Sequence, residues 1–206
     1  MIGYGQKKVL YCPVTINSPL FKKNQEKEFQ IGLKINNYGR YIGIARQFNK
    51  KIIVFSIQQN DGNYNFDPLR FNDYEDPNEE KHLIQSNPTQ MFYSELGLGY
   101  DFNIEKQKIS LIYGIGKEWH HSNSRYFMQV DWGNESKLIN AGISLRGNYT
   151  TVENTDLITL EPTVQGKIKI YNLRIVNQFG YSIALKKKHD YMKPILTVGL
   201  EFILDK

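Results

Sequence analysis

The chain has 206 residues, 40% of them hydrophobic, with a formal net charge of +5 and a pI near 9.1. That length holds one domain with a real core, or one barrel. The bulk numbers exclude several classes. No run approaches the roughly 18 apolar residues of a membrane helix, and the single cysteine, Cys12, rules out an intrachain disulfide. The lysines are dispersed rather than gathered in a stripe with interleaved aromatics, so no nucleic-acid partner is expected. Mean hydropathy is that of a soluble chain, but a transmembrane barrel buries only alternate strand residues in lipid and gives a similar average.

The start, MIGYGQKK, places Gly3-Tyr4-Gly5 before Gln6 in the small-x-small form of a signal-peptidase site. Residues 1–5 therefore read as the remnant of a signal peptide. Residues 6–27 contain Pro13, Pro19 and a charged stretch from Lys22 to Lys27, and read as an extended periplasmic segment ahead of a barrel over 28–206. Cys12 follows Val9-Leu10-Tyr11, whereas lipid attachment needs small residues just before the cysteine, so none is expected there.

Strand patterning then begins. Phe29, Ile31, Leu33 and Ile35 alternate with Gln30, Gly32 and Lys34, the period of a strand with one apolar face. The turn NNYG (36–39) follows, with Gly39 able to take positive φ. Further strands are expected over 40–48 and 52–59. Residues 60–90 have no sustained period and three prolines, and loops of that length are usually functional or mobile. Strands resume at 91–103, 107–118, 125–133, 138–150, 156–168, 171–185 and 191–204. Two of them contain a proline, Pro162 and Pro194, which removes a ladder donor.

Ten strands and no helix predict an all-β fold, an antiparallel up-and-down barrel. The connections sort by end. Those at 49–51, 104–106, 134–137 and 169–170 are short, and the opposite set, 36–39, 60–90, 119–124, 151–155 and 186–190, holds the long loop. Transmembrane barrels show this asymmetry, with short periplasmic turns and longer outside loops.

The polar face decides which side points inward. Its charged members are Lys34, Glu95, Glu118, Asp131, Arg146, Glu161, Lys167, Arg174 and Glu201. Turned inward in a soluble barrel, these nine would sit in a buried core, each costing several kcal/mol unless paired. In a membrane barrel the polar lumen takes the charges and lipid takes the rest. Opposite signs in near balance, inside a barrel small enough for side chains to fill, predict a locked charge network.

Several motifs carry a family resemblance: YCPVTINSPLF (11–21) followed by KEFQIGLKI, then YSELGLGYDF (93–102), ISLIYGIGKE (109–118), RYFMQVDWG (125–133), ISLRGNY (143–149), LEPTVQGK (160–167) and VGLEFIL (198–204). Together they resemble small outer-membrane β-barrel proteins of Bacteroidota. The resemblance implies a fold and a bacterial outer-membrane location rather than an activity. It also implies that the last strand, with Gly199 and Phe202, serves as the signal read by the barrel-insertion machinery. The tail Asp205-Lys206 departs from that pattern.

No catalytic, cofactor or metal site is expected. The adjacent histidines His120-His121 would point opposite ways in an extended segment, and His82 and His189-Asp190 fall in other loops on the same side. The chain has no P-loop, HExxH or GxSxG. The expectation is a non-catalytic integral outer-membrane barrel in contact with lipid, serving as a structural or accessory subunit of an envelope complex. Protein partners would bind through loop 60–90 and segment 6–27. A small-solute channel or binding barrel, and a soluble lipocalin-like carrier, are the alternatives.

Overall fold

The computed structural model describes residues 27–60, 91–104, 107–119, 123–134, 136, 138–152, 155–185 and 192–205. Segments 1–5 and 6–26, loop 61–90, Cys12 and the histidines 82, 120, 121 and 189 lie outside the described residues.

Ten strands follow one another: β1 (Lys27–Asn36), β2 (Gly39–Phe48), β3 (Lys51–Asn60), β4 (Met91–Ile104), β5 (Gln107–Glu118), β6 (Ser124–Asn134), β7 (Ile139–Val152), β8 (Thr155–Ile170), β9 (Leu173–Ala184) and β10 (Met192–Asp205). Each pairs antiparallel with the next, and β1 pairs with β10, so the sheet closes into a barrel with no free edge along its length. Call the end holding Lys27 and Asp205 the lower rim. The ladder that leaves β1 at Glu28, beside that rim, passes through Gln47, Ile52, Gly99, Ile112, Gln129 and Arg146 to Glu161 in the middle of β8. That climb is the stagger of strands tilted by roughly 40°.

The alternation resolves as polar in, apolar out. Tyr113 is 61% exposed, Met128 60% and Val198 59%, while Arg146 and Arg174 are 1% and 0% exposed. A face this apolar over the whole circumference does not stay in water; it is the lipid face of a transmembrane barrel. A soluble carrier, greasy side inward, is therefore overturned. Along β5 and just past its end, the ten residue steps from Ile109 to Trp119 rise by roughly 25 Å at this tilt, the height of an outer-membrane barrel's apolar band. Both tryptophans sit on the outer surface near the ends of this band. Trp119 Nε1 donates to Ser94 Oγ (2.9 Å) and Trp132 Nε1 to Gln107 Oε1 (2.9 Å). The rings stay in the apolar layer while the N–H finds a polar partner, as interfacial aromatics do.

One turn closes by a different device from the one its sequence offers. Gly39 has no positive φ; among the described residues the left-handed ones outside glycine are Asn49 and Tyr171. The β1–β2 turn instead forms around Asn36, whose Oδ1 accepts from the amides of Tyr38 (2.8 Å) and Gly39 (2.7 Å). Glycine is needed at 39 because a Cβ there would run into the Gln59 carbonyl of β3.

Both strand prolines have a structural resolution. β1 ends at the pair Asn36↔Thr197, so the stretch of β10 around Pro194 rises above it. The Pro194 carbonyl accepts from Asn37 Nδ2 (2.9 Å) and Tyr38 Oη (2.7 Å). The missing N–H faces the same way, toward a turn rather than a strand. Pro162 is different. The β8–β9 register runs from Leu160↔Ile183 to Thr163↔Gly180 with no pair between, so the ladder has a gap at the proline.

Candidate functional site

The strand period places every second side chain in the lumen, and these residues fill it. All nine sequence-predicted charges are there and buried. Four more join them: Glu28, Asp101, Lys108 and Arg125. The strand phase already implied them, since Glu28 continues Lys34 and Gln30 downward, Asp101 continues Glu95, and Lys108 precedes Ser110. Arg125 was obscured by Phe127, an aromatic in an inward position of the same strand.

The charges form separate clusters. In the upper half, Glu95 of β4 receives Arg146 of β7 (Nη2 to Oε1, 2.5 Å) and Arg125 of β6 (3.5 Å). Arg146 Nε also donates to Asn148 Oδ1 (2.8 Å), and its guanidinium lies 4.0 Å from the centre of the Phe127 ring. Arg125 lies over Tyr93 at 5.1 Å. Glu118 accepts from Asn123 Nδ2 (3.3 Å), and Glu161 from Ser182 Oγ (2.9 Å).

Toward the lower rim, Glu201 of β10 bridges Lys167 of β8 (2.8 Å) and Lys34 of β1 (3.2 Å). Arg174 pairs with Glu28 (3.3 Å), which also accepts from Gln30 Nε2 (2.6 Å). Asp101 pairs with Lys108 (2.9 Å) and accepts from the Ser110 hydroxyl. Asp131 accepts from Ser144 Oγ (2.5 Å) and Gln129 Nε2 (2.9 Å). A buried charge without a partner costs several kcal/mol, and these contacts supply the partners.

Between the charges on the β2–β6 side lies an apolar cluster of Ala45, Ile52, Val54, Ile112 and Phe127. Glycines on β4 and β5 make room for it. A Cβ at Gly97 would stand 2.7 Å from Val54 Cγ2 and 3.0 Å from Phe127 Cζ. Sequence reading missed this cluster, because in KIIVFSI (51–57) the inward Ile52 and Val54 look like the outward Ile53 and Phe55.

Gly199 of β10 lies opposite Lys34 and Val176. A Cβ at that position would approach Lys34 Cγ to 2.6 Å, so the glycine admits the lysine chain. Phe202 is exposed on the lipid face between Ile31 and Leu173.

No protein-family model matches the sequence, and no curated protein matches it. Among solved structures, the chain resembles the outer-membrane channel of Pseudomonas putida F1. The TM-score is 0.53 at 9% identity, covering 92% of this chain and 100% of that one. It overlaps less closely with the outer-membrane protein Ail of Yersinia pestis (TM-score 0.39, 14% identity, 87% and 100% covered). For neisserial surface protein A the values are 0.33, 10%, 86% and 97%. At this identity the first likeness is one of fold, and the other two carry nothing further. The fold is that of an outer-membrane β-barrel, and the apolar band suits the chain to a bacterial outer membrane.

Proposed function

We propose that the protein is a non-catalytic integral outer-membrane β-barrel acting as a structural or accessory subunit of a larger cell-envelope complex. The observation that supports this most is the lumen. Ten of its thirteen described charges sit in ion pairs with one another, and an apolar cluster stands between them. A solute-conducting barrel needs the opposite, polar walls around open space. In this reading loop 60–90 and segment 6–27 carry the partner contacts, Gly199 and Phe202 belong to the insertion signal of the last strand, and the source lies within Bacteroidota.

Two measurements on the native protein test the reading. The first extracts the envelope in mild detergent, isolates this chain and identifies stoichiometric companions by mass spectrometry. Companions are expected, and deleting 61–88 should leave a folded barrel that no longer retains them. The second records planar-bilayer currents, where the purified barrel should be silent. A barrel that purifies alone and conducts would replace the subunit reading with the solute channel.

A further inference from the structure

The lipid face carries charge at few places, and three cations gather at one of them. Arg46 of β2, Lys51 of β3 and Lys50 of the turn between them are all exposed at the lower rim. The turn holds them in place. Asn49 takes the left-handed conformation at φ 55°. Its carbonyl accepts from Gln47 Nε2 (2.7 Å), and the Lys50 carbonyl accepts from the Asp101 amide of β4 (2.7 Å). Lys51 pairs in register with Phe48 and with Tyr100. The Arg46 guanidinium lies 4.1 Å from the centre of the Phe48 ring, between the backbone position of Arg46 and the rim.

We propose that Arg46, Lys50 and Lys51 form a docking site for the phosphate headgroup of an anionic phospholipid. The inference rests on the membrane-barrel reading and adds a ligand to it.

Three observations carry it. First, Arg46 stands on a lipid-facing strand position flanked in register by Phe29 and Ile53. A cation there is costly unless it reaches the interface and meets negative charge, and its stacking on Phe48 points it that way. Second, the described carboxylates adjacent in the ladder do not neutralise the three cations. Glu28 and Asp101 turn inward, where Arg174 and Lys108 take them, and no ion pair of Arg46, Lys50 or Lys51 occurs among the described residues. Third, apolar side chains that can line the acyl chains begin immediately above: Ile53, Leu98 and Ile44. Cations beside an apolar wall at the end of the band match an anionic lipid, headgroup at the rim and tails along the strands.

The test is native mass spectrometry of the detergent-purified barrel titrated with phosphatidylglycerol or with phosphatidylcholine. Each interfacial cation is worth about fivefold in affinity for an anionic surface. The triple variant R46Q/K50Q/K51Q should therefore need at least tenfold more phosphatidylglycerol for the same occupancy, with phosphatidylcholine unchanged. The control R40Q/K117Q removes exposed cations toward the other rim and should leave the preference intact. Heat-modifiable gel mobility establishes that each variant is folded. Equal phosphatidylglycerol occupancy in folded wild type and triple variant, or no preference for phosphatidylglycerol in the wild type, overturns the site while leaving the membrane barrel standing. A chain that stays folded and monomeric without detergent overturns both.

Discussion

Arg146 of β7 reaches across the lumen to Glu95 of β4, Nη2 to Oε1 at 2.5 Å, with three strand-to-strand steps between them around the wall. The contact ties non-adjacent strands together through the barrel interior rather than through the ladder. Both side chains are buried, and Arg146 is also held by Asn148 and by the face of Phe127. Removing one partner leaves the other as an unpaired buried charge, which costs about 3–5 kcal/mol. Arg146→Met and Glu95→Gln should each lower the unfolding free energy in detergent or vesicles by that order. Arg125 also pairs with Glu95, so Arg146→Met should be the milder. The double variant should cost less than the sum of the two, and strict additivity in a double-mutant cycle would show that the pair is not coupled.

The strand glycines give a second prediction because they fall into two kinds. At Gly97 and Gly114 a Cβ would press on Phe127, and at Gly97 also on Val54 and Ile112. At Gly147 and Gly166, which point away from the lumen, nothing lies within 4 Å. Gly97→Val should destabilise by about 1–3 kcal/mol through overpacking, with partial recovery when Phe127→Ala is added. Gly147→Ala and Gly166→Ala should be neutral, or stabilising by up to about 1 kcal/mol. Urea midpoints of the four variants in one lipid decide it. Equal losses at Gly97 and Gly147 would mean that the Phe127 cluster does not fill the lumen.

These two kinds of glycine also mark how far the sequence could be read. Period-two alternation separates the faces wherever one of them is polar. That is why Lys34, Glu95, Asp131, Arg146 and Glu201 were legible as lumen residues from the chain alone. It fails where both faces are apolar. Ile52, Val54, Ile112 and Phe127 carry no signature that distinguishes a lumen filling from a lipid contact, and their identity depends on strand register. The contacts themselves were illegible for another reason: Arg146 and Glu95 meet because of the barrel's stagger, which local sequence does not encode. The β1–β2 turn was legible as a turn but not its device: the Asn36 side chain closes it, and the positive φ that Gly39 could take is not used.

The tryptophans provide a depth measurement. The chain has only two, Trp119 and Trp132, both exposed on the outer surface near opposite ends of the apolar band. In vesicles their emission should be quenched most strongly by lipids brominated high on the acyl chain, and weakly by bromine near the chain ends. Trp119→Phe and Trp132→Phe, studied singly, should each show this shallow profile. Deep quenching for either residue would mean that the band is displaced along the barrel from the position its indole hydrogen bonds indicate.

The strand prolines make the last prediction, because the same residue type sits in two different ladders. The Pro162 carbonyl faces β9, so close to Gly180 that a Cβ there would strike it, and the missing N–H faces the same neighbour. The β8–β9 ladder skips a step at that point. Pro162→Ala restores a donor opposite Tyr181 and Ser182 and should stabilise the barrel by about 0.5–1.5 kcal/mol, the net worth of one backbone hydrogen bond. The Pro194 N–H would face the β1–β2 turn, where Asn37 and Tyr38 already satisfy the carbonyl beside it. Pro194→Ala supplies a donor with no strand to receive it and should leave the unfolding midpoint unchanged or slightly lower. Amide hydrogen exchange separates the two cases: Pro162→Ala should slow exchange at Tyr181, Ser182 and Ile183, whereas Pro194→Ala should slow none. If Pro162→Ala destabilises and speeds exchange there, the proline is holding the bend of β8 rather than interrupting its ladder, and the gap is a feature the barrel needs.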